Sequence, residues 1–300
     1  MTVLQYLIDG VSLGAIYGLV AIGIGLVFGV MRLVNFAYGE LITAGGYTLA
    51  YLNGQPAVLA ILACFVVVVA LALLQERIVF RPLRSASPVT MLVASFAVSF
   101  LLQAVYLLSF RSASGQQGKI VSTLGGLNTA IIFHTLVIRW ILIVSMISGI
   151  GLLAATALIL NKTSIGLHMR AAAMDFRTAR VLGVRANRVI MFAFVLSGLL
   201  AGSVSVLYTV QQNPLVTPDY GVSITILALV GVVVGGLDRL WTATLGGFAI
   251  GFLYSLFGDV LSPTSRQYLP SVVFGIVIVV LLLRPSGLFA PGRRAPVERV

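Results

Sequence analysis

Apolar stretches long enough to cross a membrane follow one another along almost all of this 300-residue sequence. An α-helix spans the hydrocarbon core of a bilayer with about 20 mostly apolar residues. Such stretches lie at about 4–30, 34–52, 57–80, 89–110, 136–160, 189–210, 222–237, 240–258 and 269–283. Nine is the simplest count of spans, and the glycine-broken region 222–258 widens the range to between eight and ten. The pattern therefore predicts a polytopic bundle of transmembrane helices.

The shortage of charge supports an all-α membrane fold. Only 9% of the residues are charged and 59% are hydrophobic, whereas a soluble domain is about one quarter charged. The apolar stretches continue through the chain, so residues 1–300 are predicted to form a single membrane-spanning domain in contact with lipid. In a soluble protein the net charge of +11 would indicate a nucleic-acid partner. In a membrane protein it reflects basic cytoplasmic loops, and no nucleic acid is expected.

A polar island, residues 163–188, interrupts the apolar pattern. It contains five arginines but one acidic residue, Asp175. The stretch Leu167–Leu182 has no glycine or proline and is rich in alanine, arginine, methionine and leucine, which predicts a short helix. Gly183 stands where the C-terminal cap of that helix would fall. A basic helix at the mouth of a bundle indicates a docking surface for another protein. The alternative is an ordinary positively charged cytoplasmic loop.

The distribution of basic residues predicts the orientation of the bundle. If the polar island is cytoplasmic and nine spans alternate outward from it, fifteen of the 19 Lys and Arg residues fall inside. The four that fall outside are Arg111, Lys119, Arg139 and Arg266. Because cytoplasmic loops collect Lys and Arg, this bias supports the assignment. Nine spans place the N-terminus outside, whereas an even number would place it inside.

Residue patterns of enzymes and nucleotide-binding proteins are missing from the sequence. The two histidines, His134 and His168, fall on opposite sides of the predicted membrane, so no histidine-rich metal site is expected. Neither lysine, Lys119 or Lys162, lies in a Walker A sequence, so the chain is not expected to bind ATP through a P-loop. No catalytic residue, cofactor or metal is predicted, and an ATPase that served this chain would be a separate protein.

Glu40 is the strongest candidate for a residue on a transport pathway. Charged residues are costly inside a bilayer, and those that occur there usually face the protein interior or water. Glu40 follows Asn35, Tyr38 and Gly39 at the start of the second apolar stretch, and Asn35 and Gly39 lie about one helical turn apart. These four residues are predicted to form a polar, tightly packed stripe that enters the membrane. The alternative is that Glu40 is a helix cap or an anchor near the lipid headgroups.

Several motifs resemble those of permease subunits of ABC importers. The segment Arg170–Val184, RAAAMDFRTARVLGV, is similar to the coupling segment through which such permeases contact their ATPase. Four further segments resemble stretches of the branched-chain, or hydrophobic, amino acid uptake permeases and occur in the same order. They are Met31–Leu41, Glu76–Arg84, Phe192–Leu207 and Arg284–Phe289.

The sequence departs from that family's pattern in three places. Tyr38 stands where the family usually has histidine, and Ser205 replaces a glycine. Asp238, Arg239 and Thr242 occupy a region where the family usually has a Gly-Ser pair followed by another glycine. The last of these differences bears on the exact cargo or on the pairing of subunits, and Tyr38 bears on any role of the ring at that position.

The resemblance implies an all-α permease subunit of a bacterial importer in the cytoplasmic, or inner, membrane. Its implied partners are a related permease subunit, two cytoplasmic ATP-binding subunits and a periplasmic substrate-binding protein. Closure of the ATP-binding subunits would act on the polar island. The residues expected at that coupling surface are Arg170, Ala171, Asp175, Ala179 and Gly183.

The implied cargo is a branched-chain or other hydrophobic amino acid that moves inward. Urea or a short amide is the alternative within the same family. An ion-coupled secondary transporter is the alternative from another class, and it would typically show several acidic residues or polar helix breaks inside the membrane. Glu40 is nearly alone in this respect, which favours the importer.

Overall fold

The computed structural model of the chain describes residues 3–84, 86–110, 118–133, 136–174, 176–212, 214–236, 239–262, 264–284 and 287. Most of these residues lie in helices. The α-helices are α1 (Val3–Met31), α2 (Tyr38–Tyr51), α3 (Ala57–Gln75), α4 (Pro88–Ser109), α5 (Trp140–Lys162), α6 (Ser164–Met174), α7 (Phe176–Val181), α8 (Ala186–Gln211), α9 (Tyr220–Gly235), α10 (Leu240–Val260) and α11 (Leu269–Leu283). A π-helical turn, Glu76–Phe80, continues α3.

Seven helical segments of the described chain are long and apolar enough to cross a membrane. They contain α1, α3, α4, α5, α8, α10 and α11. Two further helices, α2 with 14 residues and α9 with 16, are shorter. All nine lie on the predicted apolar stretches, so the helical membrane bundle is confirmed. Two helices begin later than their apolar stretches, α2 at Tyr38 and α5 at Trp140.

Four short strands lie at one end of the bundle. Strand β1 (Lys119–Ile120) pairs antiparallel with β4 (Leu215–Val216), and β2 (Ala130–Phe133) pairs antiparallel with β3 (Leu136–Arg139). The second pair explains the late start of α5, because its first predicted residues belong to β3. The connection between α4 and α5 is therefore partly extended, and residues 111–117 lie outside the described part of the chain.

The two ends of α1 identify the two ends of the bundle. At its start, the side chain of Gln5 exchanges two hydrogen bonds of 3.1 Å with the backbone of Val137 in β3. Just beyond its end, the guanidinium of Arg32 donates to the backbone oxygen of Ala173 in α6. The start of α1 and the polar island therefore lie at opposite ends, as the nine-span arrangement requires.

Helix α1 is the centre of the bundle. It is apolar on all sides, which is typical of a helix buried among others, and most of its residues are buried. It packs against α5, α8, α9 and α10. Small residues permit these contacts: Gly14 lies against Phe248 of α10, and Gly149 of α5 lies against Ala15.

Glycines bring α9 and α10 into backbone contact. A Cβ atom at Gly246 would lie 2.0 Å from the backbone oxygen of Gly231. The turn between the two helices contains Gly236 with φ of +99°. The Thr242 hydroxyl lies 3.1 Å from the backbone oxygen of Gly236 and 2.9 Å from that of Arg239. Thr242, one of the departures from the family pattern, thus stabilises this turn, whereas Asp238 lies outside the described residues.

Candidate functional site

The segment between α1 and α2 returns into the bundle instead of following its surface. Arg32 ends α1 with φ of +55°, and Leu33, Asn35 and Ala37 after it are buried. The Tyr38 hydroxyl then lies against Gly23 of α1. Gly23 is eight residues before the end of α1, or about 12 Å along the helix axis. Helix α2 therefore begins inside the bundle.

Side chains satisfy the backbone of this re-entrant segment. The Asn35 Oδ1 atom accepts a 3.0 Å hydrogen bond from the Ala37 N–H, and the Gln75 amide donates to the Ala37 oxygen at 3.3 Å. The Phe36 N–H donates to the Ser95 hydroxyl at 3.4 Å. Irregular backbone is tolerated at membrane depth only where protein or water replaces the missing helical bonds. The segment is thus built into the bundle by residues of α3 and α4.

Glu40 lies beside the middle of a membrane-spanning helix. Its Oε1 atom accepts hydrogen bonds from the Ser99 hydroxyl at 2.7 Å and the Gln103 amide at 2.9 Å. Ser99 is halfway along the 22-residue helix α4. The Tyr106 hydroxyl donates to the Glu40 backbone oxygen at 2.9 Å. This depth argues against an anchor at the lipid headgroups.

The second carboxylate oxygen of Glu40 accepts no hydrogen bond from the described residues. Glu40 is 0% exposed, and its Oε2 atom has no hydrogen-bond partner among the described residues. A buried acceptor without a partner costs free energy unless a ligand or water satisfies it. The arrangement therefore leaves an acceptor free in the interior of the bundle.

A cavity of about 400 Å³ lies next to this group, between α4, α9 and the re-entrant segment. Its wall is largely apolar and includes the rings of Phe36 and Phe96, which stack with centroids 4.0 Å apart. Gln103 and Thr225 are among its few polar residues, and the buried Thr225 hydroxyl has no partner among the described residues. Small-molecule sites typically combine apolar walls with a few polar groups. The cavity opens at the surface beside Phe100, which is 67% exposed.

The four predicted pathway residues occupy different positions around this cavity. Asn35 lines it, and Glu40 reaches it through its hydrogen bonds to two lining residues, Ser99 and Gln103. Tyr38 packs against α1 instead. Gly39 lies at the crossing of α2 and α9, where an added Cβ would be 2.7 Å from the backbone oxygen of Gly221. Tyr38 and Gly39 therefore shape the site without lining the cavity.

Sequence reasoning missed the contribution of α4. Ser95, Ser99 and Gln103 are spaced four residues apart in an otherwise apolar stretch. This spacing puts them on one face of the helix. That face meets the re-entrant segment and Glu40. This polar stripe could have predicted that the face of α4 that carries it points into the bundle. It does not reveal which helix packs against that face.

The polar island is helical on both sides of Asp175, which lies outside the described residues. Helix α6 begins three residues before the predicted start because the Thr163 hydroxyl caps it, accepting a 3.2 Å hydrogen bond from the Gly166 N–H. After α7, Gly183 has φ of +90°. The Val184 N–H donates to the Ala179 oxygen at 3.0 Å. This bond, together with the positive φ of Gly183, is typical of a helix that ends at a glycine, so the predicted cap at Gly183 is confirmed.

Three large apolar side chains of the polar island point away from the protein. Met174, Val181 and Leu182 are 88%, 88% and 79% exposed. The exposed Arg170 lies on the same island, where its guanidinium donates to Asn161 at 3.0 Å. Exposed apolar groups clustered on a polar segment are typical of an interaction surface. Their exposure favours a docking surface over an ordinary charged loop.

The other predicted coupling residues differ in accessibility. Ala171 is half-buried and Gly183 is exposed. Ala179 is only 4% exposed, so its side chain faces the protein and is not available to a partner. Met169 and Ala172 are likewise buried and hold α6 on the bundle. The sequence did not separate these inner and outer faces, because alanines fall on both of them.

Comparison with known proteins agrees with this architecture. The family described as "Branched-chain amino acid transport system / permease component" matches residues 6–282. The high-affinity branched-chain amino acid transport permease BraD of Pseudomonas aeruginosa is 31% identical over 313 residues, covering 99% of this chain and 98% of its own length. The permease LivH of Escherichia coli is 28% identical over 308 residues, covering 99% and 97%. A probable LivH permease of Methanocaldococcus jannaschii is 29% identical over 284 residues, covering 91% and 86%.

Proposed function

This chain belongs to the family of branched-chain amino acid transport permease components, and on that basis we propose that it imports branched-chain or other hydrophobic amino acids. It is a multi-pass membrane protein and the permease component of an ABC transport system, a family of transporters and not of enzymes. The observation that carries the choice of cargo is the intramembrane cavity beside Glu40.

The cavity suits a small molecule with an apolar side chain and a polar end. In the proposal, the branched side chain packs on the apolar wall that contains Phe36 and Phe96. The α-ammonium group faces Glu40, whose Oε1 atom accepts from the lining residues Ser99 and Gln103 and whose Oε2 atom has no partner among the described residues. Asn35 and Thr225 supply polar groups for the remaining end of the cargo. In the proposal, the related permease subunit covers the opening beside Phe100 and completes the pathway.

The proposed partners are that related permease subunit, two cytoplasmic ATP-binding subunits and a periplasmic substrate-binding protein. The ATP-binding subunits dock on the polar island. Arg170 and Ala171 contribute the polar and small parts of this surface, and Asp175 belongs to the same segment. Met174, Val181 and Leu182 supply its apolar part, since all three are strongly exposed. Apolar anchors surrounded by charges combine affinity with a defined orientation.

A hydrogen bond joins the polar island to the segment that leads into the site. Arg32 donates to the Ala173 oxygen of α6 and is followed directly by the re-entrant segment that contains Asn35. When the ATP-binding subunits move α6, this bond would transmit the displacement to the segment beside Glu40. The proposal thus connects the docking surface to the cavity through a single short stretch of chain.

Gly183→Val is expected to lower uptake several-fold, while the permease still accumulates in the membrane. A Cβ at Gly183 has no described atom within 4 Å, so the backbone conformation, and not crowding of the Cβ, opposes a side chain there. A positive φ costs a residue with a side chain about 1–2 kcal/mol. Uptake of radiolabelled leucine, normalised to membrane protein, measures the effect. The matched variant Gly183→Asn should transport nearly normally, because asparagine tolerates this conformation. Equal uptake by both variants would contradict a role for the cap in coupling.

A competition assay tests the cargo. In cells whose transport depends on this chain, unlabelled isoleucine and valine should suppress leucine uptake, whereas urea and acetamide should not. Uptake of labelled urea or acetamide above that of a deletion strain, with no uptake of leucine above it, would overturn the amino acid assignment in favour of the alternative cargo.

A further inference from the structure

A second, larger cavity lies on another face of α4. It is a groove of about 590 Å³ between α2, α3 and α4, and its walls are almost entirely apolar. Ala44, Leu71 and Val105 line it. Thr48 and Tyr106 also line it, but their hydroxyls donate to the backbone oxygens of Ala44 and Glu40. The hydroxyl-bearing residues Tyr47 and Tyr51 line it as well, but no charged side chain is among its described lining residues, and its wall favours an occupant that is apolar along this length.

The position and length of the groove fit one leaflet of a bilayer. It follows α4 from Leu102 to Phe110, eight residues or about 12 Å. Half of a hydrocarbon core that is about 30 Å thick is about 15 Å. The groove reaches Leu52, whose neighbour Asn53 donates to the Ile120 oxygen of β1 at 2.6 Å. It therefore opens at the end of the bundle opposite the polar island.

A lysine stands at the mouth of the groove. The Lys119 ammonium lies 5.1 Å from the centroid of the Tyr51 ring and 5.7 Å from that of Phe110, and both rings line the groove. Lys119 is held in place because its strand β1 pairs with β4, with Lys119 opposite Val216. The mouth therefore combines a fixed positive charge with aromatic rings, which are typical of the membrane–water interface.

We propose that this groove binds one acyl chain of a phospholipid, with the lipid phosphate against Lys119. The apolar walls match the chain, and the ammonium complements the phosphate charge. The lipid would contact the same helix α4 that donates two hydrogen bonds to Glu40. Because the groove lies between α4 and its neighbours α2 and α3, the bound chain would fill that space and hold α4 in position.

Native mass spectrometry of the purified full-length protein with added phosphatidylglycerol tests the proposal. Wild type should retain one tightly bound phosphatidylglycerol, and Lys119→Glu should weaken its binding roughly fivefold or more, because a single basic residue near the surface has about that effect. Lys162→Glu makes the same charge change at the opposite end of the bundle and should bind as wild type does. Val105→Trp, which fills the groove with an apolar side chain, should also lose the lipid.

Two results would overturn the proposal that the groove binds a phospholipid. The first is equal retention of phosphatidylglycerol by wild type, Lys119→Glu and Val105→Trp. The second is efficient cross-linking of Val105→Cys to the related permease subunit in the assembled complex, since a protein partner would then occupy the groove. A melting temperature that rises with phosphatidylglycerol for wild type and Lys162→Glu, but not for Lys119→Glu, would support it independently.

Discussion

Replacing Gly221 with alanine is expected to abolish accumulation of the folded permease in the membrane. A Cβ at this position would lie 1.9 Å from the backbone oxygen and 2.8 Å from the carbonyl carbon of Gly39. Both atoms belong to the backbone of α2, so no flexible side chain can move aside. Helices α2 and α9 would have to separate, and the 2.9 Å bond from the Gly221 N–H to the Thr43 hydroxyl would be lost.

The expected loss exceeds the roughly 1–3 kcal/mol typical of an overpacked core. Fluorescence-detected size-exclusion chromatography of a tagged permease measures it, and Gly221→Ala should give little or no monodisperse protein. Gly29→Ala is the matched control, because a Cβ there meets nothing within 4 Å and alanine favours a helix by up to about 1 kcal/mol. A normal elution profile for Gly221→Ala would show that α2 and α9 are not in backbone contact.

Glu40→Gln is expected to reduce uptake by about tenfold or more while the protein remains folded. Glutamine keeps an oxygen that can accept the bonds from Ser99 and Gln103, but it can present an amide donor where Oε2 is now free. An amide donor cannot accept a hydrogen bond from the ammonium group of the cargo, so the two groups would repel each other. Hydrogen bonds to charged groups contribute about 1.5–3 kcal/mol, which corresponds to tenfold or more.

The control for this prediction separates cargo binding from packing. Ser99→Ala removes one hydrogen bond to Glu40 and leaves the carboxylate, so its uptake should fall much less than that of Glu40→Gln. Initial rates of leucine uptake at several concentrations, with the amount of membrane protein measured in parallel, provide the comparison. If Glu40→Gln transports at the wild-type rate, Glu40 serves only to join α2 to α4.

The sequence predicted the helices better than their arrangement. Apolar length located nine helices, and the left-handed cap at Gly183 followed from local backbone chemistry. These features depend on neighbouring residues. The return of residues 33–37 into the bundle depends instead on Ser95 and Gln75, which belong to other helices. Hydropathy placed most of this segment in the same predicted span as α2, because its residues are apolar enough to extend the stretch 34–52.

The candidate site was predicted in part for the same reason. Glu40 and Asn35 were found because charged and amide side chains are conspicuous in an apolar stretch. Gln103 was missed because its partner lies 63 positions earlier in the chain. In the polar island, residue type could not separate the buried Ala179 from the exposed Leu182, since this distinction arises only when α6 and α7 pack on the bundle.

Reconstitution into liposomes tests the central claim most directly, namely that this chain is a permease driven through its polar island by separate ATP-binding subunits. The chain is reconstituted with the related permease, both ATP-binding subunits and the substrate-binding protein, and leucine uptake is measured. Uptake should require ATP and every partner, and a protonophore should not reduce it. Uptake by the chain without ATP-binding subunits, driven by an ion gradient and abolished by the protonophore, would contradict the account.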